Sequence, residues 1–82
     1  MEVVEKVRAL LTSAFPPPDK LDLEDDDGII GTLVSERFEG VPVRDRIDMI
    51  WDVLDKNLTP EERRRVVLIV AATPVEEIVY TS

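Results

Sequence analysis

Between Glu2 and Phe15 the apolar residues Val3, Val4, Val7, Leu10, Leu11 and Ala14 return at three- and four-residue steps, with Glu2, Glu5, Lys6 and Arg8 mostly on the other side. That spacing predicts an amphipathic helix with one buried stripe. Pro16, Pro17 and Pro18 end it, since each lacks an amide donor and disfavours helical geometry in the residue before it. The period then changes to two. Leu21 and Leu23 alternate with polar residues from Lys20 to Glu24, and Asp25, Asp26, Asp27 and Gly28 supply turn chemistry. A hairpin is expected, its second strand running from Ile29 to Ser35, with Gly31 thinning one face or marking a bulge.

A loop with Phe38, Glu39, Gly40 and Pro42 follows, and helical periodicity resumes. Val43, Ile47, Ile50, Trp51, Leu54 and Leu58 fall within an arc of about 100° on a helical wheel, which predicts the main core helix. Ile47 sits at the centre of that arc, and Asp45 lies opposite, near the helix start that favours acids. Thr59-Pro60-Glu61-Glu62 reads as an N-cap, a first-turn proline and a capping-box glutamate, opening a short turn or helix. Val66 to Ala71 is an unbroken apolar run rich in β-branching, the pattern of a strand covered on both faces. Thr73-Pro74-Val75-Glu76 repeats the capping pattern and predicts a short terminal helix through Ile78. The order of elements implies an α+β domain: a three-stranded sheet with helices packed on one face, where the helical stripes find a surface to bury.

The segment from Val34 to Leu54, VSERFEGVPVRDRIDMIWDVL, resembles the signature region of BolA-family proteins without a gap. Those proteins have a short strand ending, a Phe-x-Gly loop, and a helix opening with an Arg-His-Arg triplet followed by apolar residues. Ser35-Glu36-Arg37-Phe38 and Gly40 match the approach, Arg44 and Arg46 match the two arginines, and Ile47, Ile50 and Leu54 match the apolar face. The strand Val66 to Ala71, followed by Thr73-Pro74 and Glu76-Glu77, resembles the family's closing strand and Thr-Pro segment. The resemblance implies a type II K-homology-like topology. It also implies pairing with a monothiol glutaredoxin, with or without a shared iron-sulfur cluster, and links to iron regulation, cluster delivery and sometimes DNA binding.

The departures from the family matter more for function. Asp45 holds the triplet's histidine position, Arg65 stands where a histidine usually opens the closing strand, and the hairpin turn that often offers histidine or cysteine is Asp25 to Gly28. Soft thiolate and imidazole ligands suit iron; carboxylates in a turn substitute poorly. No cofactor or metal is therefore expected.

Composition narrows the picture further. The 82 residues suit one domain, residues 1–82, because so short a chain supports one core. The chain has no cysteine and no histidine, so disulfides, thiolate metal sites and nucleophilic thiols are excluded. A reducing compartment, the cytoplasm or another, is the expected location. No apolar run is long enough to span a bilayer, and Glu2 and Glu5 occupy the first helix where a leader would be basic. Eighteen acidic against ten basic residues give a net charge of -8, which repels nucleic-acid backbones at long range. Serines occur only at Ser13, Ser35 and Ser82, with no plausible base, so a non-enzymatic role is expected.

The candidate partner-binding residues are Arg37, Phe38, Gly40, Arg44, Arg46 and Trp51. Guanidinium groups fork onto oxyanions, and Trp51, at the edge of the helical stripe, reads either as core packing or as a half-exposed anchor. Three other signals read as ordinary surface or strand. The acidic turn does not fit a calcium loop, because Leu23 and Val34 would fall at its ligand positions. Arg63, Arg64 and Arg65 form a charged run flanked by Glu61 and Glu62. Gly28-Ile29-Ile30-Gly31 spells a K-homology GxxG but enters a strand. The expected function is a BolA-like protein-interaction or regulatory module that binds a monothiol glutaredoxin or an iron-sulfur assembly factor without supplying cluster ligands. The alternative is a K-homology-like nucleic-acid-binding regulator using Arg37, Arg44 and Arg46.

Overall fold

The computed structural model describes residues 2–76. The first helix, α1 (Val3–Ala14), buries Val4, Val7 and Leu11 along its stripe. It ends at Phe15, whose amide still bonds Leu11. After the prolines come β1 (Lys20–Asp25) and β2 (Ile29–Val34), paired antiparallel from Lys20 opposite Val34 to Asp25 opposite Ile29. The turn between them places Asp27 at φ 62° and Gly28 at φ 136°. Gly28 is also buried, and a Cβ there would lie 2.5 Å from a Val67 methyl, so both backbone conformation and space require glycine.

A single 3-10 turn (Glu36–Phe38) leads to α2 (Val43–Asn57) and α3 (Pro60–Arg65), and β3 (Val66–Ala72) returns parallel to β2. The sheet order is β1-β2-β3. Thr59 caps α3 as expected: its side chain accepts from the Glu62 amide while Glu62 accepts from the Thr59 amide at 2.8 Å. Lys6 of α1 donates to that carboxylate as well, at 2.8 Å, tying the first helix to the third. Gly31 keeps regular register and thins one face, because a Leu23 methyl occupies the space its Cβ would take. The irregularity lies at the start of β3, where the pairing slips between Ile29 and Ile30.

One face of the sheet carries the core. Leu23, Ile29, Leu33, Ile69 and Ala71 pack against Val4, Val7 and Leu11 of α1 and Ile50 and Leu54 of α2, with Phe15 and Phe38 also in the cluster. Two expectations are corrected here. The buried face of α2 runs through Arg46, Ile50 and Leu54, about 50° round the helix from the centre of the apolar arc. Val43 is 61% exposed and Ile47 only half-buried, outside the core cluster. An arginine cannot register in an apolar count, yet this one finds partners inside. The second correction concerns β3, whose second face is bare over its first part, where Val67, Leu68 and Val70 are exposed, and covered only at Ala72. An unbroken apolar run has the same pattern whether its second face is covered or bare. The expected terminal helix opens at Pro74, and its reach to Ile78 lies outside the described residues.

Candidate functional site

The Phe-x-Gly loop is built by a turn whose geometry dictates its spacing. Ser35, nearly fully buried, accepts the Arg37 amide at 3.1 Å and donates its hydroxyl to Asp19 at 2.9 Å, pinning the end of β2 to the segment that enters β1. Glu39 has φ -62° and ψ 130°, Gly40 has φ 74°, and the Val41 amide bonds the Phe38 carbonyl at 3.0 Å. These are the angles of a type II turn, whose third residue needs positive φ and therefore glycine. The turn drives Phe38 inward, fully buried, with its ring centroid 5.6 Å from that of Phe15. Arg37 stacks over Phe15 at 5.0 Å and Arg46 over Phe38 at 6.0 Å.

Arg46 holds this end of the fold together. Its Nε donates to the Val41 carbonyl at 2.7 Å, and Nη1 reaches the Ala71 carbonyl at 3.4 Å. Nη1 and Nη2 fork onto the Glu76 carboxylate at 2.7 and 3.2 Å. Glu76 also closes a second capping box, accepting from the Thr73 amide and donating its own amide to the Thr73 hydroxyl. The loop, α2, β3 and the terminal turn thus meet on one guanidinium. The Arg46 hydrogen bond, then the Thr73 amide, lower the Glu76 pKa below its ordinary 4.5.

A carboxylate with a lowered folded-state pKa binds fewer protons folded than unfolded. Its stabilising contribution is therefore complete above the unfolded value of 4.5 and disappears as pH falls through the folded one. Glu76→Gln should remove that part of the acid dependence, so the stability gap between wild type and variant should close on going from about pH 7 to about pH 3. Urea unfolding midpoints across that range measure it.

Of the residues nominated from sequence, the structure gathers Arg37, Phe38, Gly40 and Arg46 at the loop, with Arg44 on the first turn of α2. Their exposure divides them. Gly40 and Arg44 are exposed, and Arg44 makes no ion pair among the described residues. Arg37 is half exposed and lies 3.9 Å from Asp19. Phe38 is fully buried and Arg46 nearly so, with its guanidinium engaged by internal bonds. Trp51 lies two turns along α2 from Arg44, roughly 10 Å away, half-buried against the core under the Arg63 guanidinium at 5.0 Å. Asp19, Phe15 and Glu76 were missed as members of this site; only Glu76 carried a signal, through its Thr-x-x-Glu spacing.

At the opposite end of the sheet, the hairpin turn packs beside the start of β3. Arg65 donates Nη2 to the Asp25 carboxylate at 3.0 Å. These two positions are among those where the BolA resemblance places histidine or cysteine ligands, and they are filled by an ion pair. A guanidinium is never a metal ligand at accessible pH, and among the described residues no three acidic side chains gather in metal-binding geometry. The residues present do not fit an iron-sulfur cluster.

An α-β-β-α-α-β chain folded into a mixed three-stranded sheet with helices on one face defines the class, an α+β domain of K-homology-like topology. No family model matches the sequence, and no curated protein matches it. Among solved structures, the chain is similar to BolA1 from Arabidopsis thaliana, with a TM-score of 0.71 and 22% identity over 93% of this chain and 96% of that one. It is also similar to the BolA domain of SufE1 from Arabidopsis thaliana, with a TM-score of 0.68 and 26% identity over 88% of this chain and 92% of that one. The chain is BolA-like. Among the described residues no helix is long and apolar enough to cross a membrane.

Proposed function

We propose that this chain acts as a single, non-enzymatic BolA-like interaction module that docks a protein partner through the exposed rim of its Phe-x-Gly loop and supplies no cluster ligand. The partner class is a monothiol glutaredoxin or an iron-sulfur assembly factor. The observation that carries the reading is the Asp25–Arg65 pair: the fold is kept, while two positions that resemble ligand sites are occupied by each other. Phe38 and Arg46 act beneath the rim by fixing the turn, which leaves Arg37, Gly40 and Arg44 as the accessible surface. The occurrence of a BolA domain within SufE1 fits a module that works by attachment to other proteins.

The nucleic-acid alternative loses much of its footing on the same geometry. Of the three arginines it invokes, Arg46 is buried and Arg37 faces Asp19, and Ile29 of the GxxG spelling is fully buried. Calorimetric titration of the purified chain with a monothiol glutaredoxin tests the proposal. Binding should weaken about tenfold on Arg37→Glu with Arg44→Glu, as expected for reversed rim charges. Absence of binding would overturn the partner class, and binding indifferent to both reversals would overturn the surface.

A further inference from the structure

The face of the sheet turned away from the helices is bare along the half that lies nearer the hairpin turn. In register across it, Glu24 of β1 lies beside Ile30 of β2 and Leu68 of β3, and Asp22 beside Thr32 and Val70. Ile30 is 42%, Leu68 52% and Val70 43% exposed, and these six side chains line one shallow depression. Toward the loop end of the same face, Val34 and Ala72 are already buried, so the bare part is the hairpin half. Neither Asp22 nor Glu24 has a cationic partner among the described residues. The result is an apolar column beside an unanswered acidic one.

We infer that this face is a second docking surface, distinct from the loop rim, and that its occupant is an amphipathic helix of a partner protein whose apolar stripe is bordered on one side by lysine or arginine. The dimensions match. Outward residues two apart on a strand, such as Leu68 and Val70, stand roughly 6.6 Å apart, and residues i and i+4 of a helix stand about 6 Å apart. The β1 and β3 columns are separated by about 10 Å, the width of a helix, so one lying over β2 and β3 sets its flank above the β1 carboxylates. A second copy of this chain answers the charges poorly, because the outward positions of β3 are uncharged and both copies carry the same acidic column. Clustered exposed aliphatic side chains with a polar border on a small domain mark such contacts.

The probe is a synthetic helical peptide with leucines at i, i+4 and i+7 and lysines along one border, titrated into the isotope-labelled 82-residue chain and followed by amide shifts and fluorescence anisotropy. Shifts should centre on Ile30, Leu68 and Val70. Leu68→Glu with Val70→Glu, at exposed positions that leave folding intact by circular dichroism, should weaken binding at least about tenfold. Asp22→Lys with Glu24→Lys should weaken it about fivefold and favour a peptide with glutamates in place of the lysines, as expected of two rim ion pairs. Shifts centred on the Phe-x-Gly loop or on α3, indifference to the charge of the peptide, or an extended bound peptide would each overturn the inference. So would a dimer of the chain, by sedimentation, that Leu68→Glu dissolves.

Discussion

Replacing Phe38 by alanine should destabilise the fold by about 3–5 kcal/mol, the usual cost of removing a fully buried aromatic ring. Phe38 has no exposed surface and packs on Phe15 where the loop closes over the core. Alanine there opens a cavity that the type II turn above it cannot follow down, since Ser35, Gly40 and Arg46 fix its ends. A domain this small has the lower part of the usual range of about 5–15 kcal/mol to lose, so the variant should be largely unfolded in modest denaturant. Phe38→Leu keeps most of the volume and should cost about 1–2 kcal/mol. Chemical denaturation of the three proteins reads both values. A loss below about 1 kcal/mol for the alanine variant would mean that the ring does not close the core.

Arg46→Ala should cost about 2–3 kcal/mol, while Arg44→Ala, two residues away, should change stability by no more than about 0.5 kcal/mol. The Arg46 guanidinium is buried and donates to Val41, Ala71 and both oxygens of Glu76. Alanine strands two carbonyls and removes a buried stem together with the guanidinium that lies over the Phe38 ring. The cost stays below that of breaking a wholly buried pair because the Glu76 side chain is 40% exposed and can turn to water. Arg46→Met, which keeps the stem, should recover part of the loss, and a double-mutant cycle with Glu76→Gln isolates the pair itself. Equal effects at Arg44 and Arg46 would contradict the division between rim and scaffold.

That division was hidden in the sequence, where the two arginines look alike. The α1 stripe, the hairpin with its acidic turn, and the Thr59 capping box are all local patterns with one physical solution each, and all are found as read. The rotation of α2 was not legible, because one residue of its buried face is the charged Arg46 and two of its partners lie 25 and 30 positions further along the chain. The bare face of β3 was illegible for the opposite reason: its apolar run gives no sign of which side is covered. The pairing of Asp25 with Arg65 spans 40 positions and follows only from the register that sets the hairpin turn beside the start of β3. Phe-x-Gly was recognised as a motif, yet only the turn geometry shows that its phenylalanine points inward and its glycine outward.

The central claim is a BolA-like scaffold that docks without donating ligands, and anaerobic reconstitution tests it most directly. A monothiol glutaredoxin carrying its iron-sulfur cluster is mixed with this chain, and the visible absorption and circular dichroism of the cluster are followed while complex formation is read by size-exclusion chromatography. The account predicts co-migration with an unchanged cluster spectrum. A spectrum that changes on addition of the chain, and loses that change when Asp25 is replaced by alanine, would contradict it.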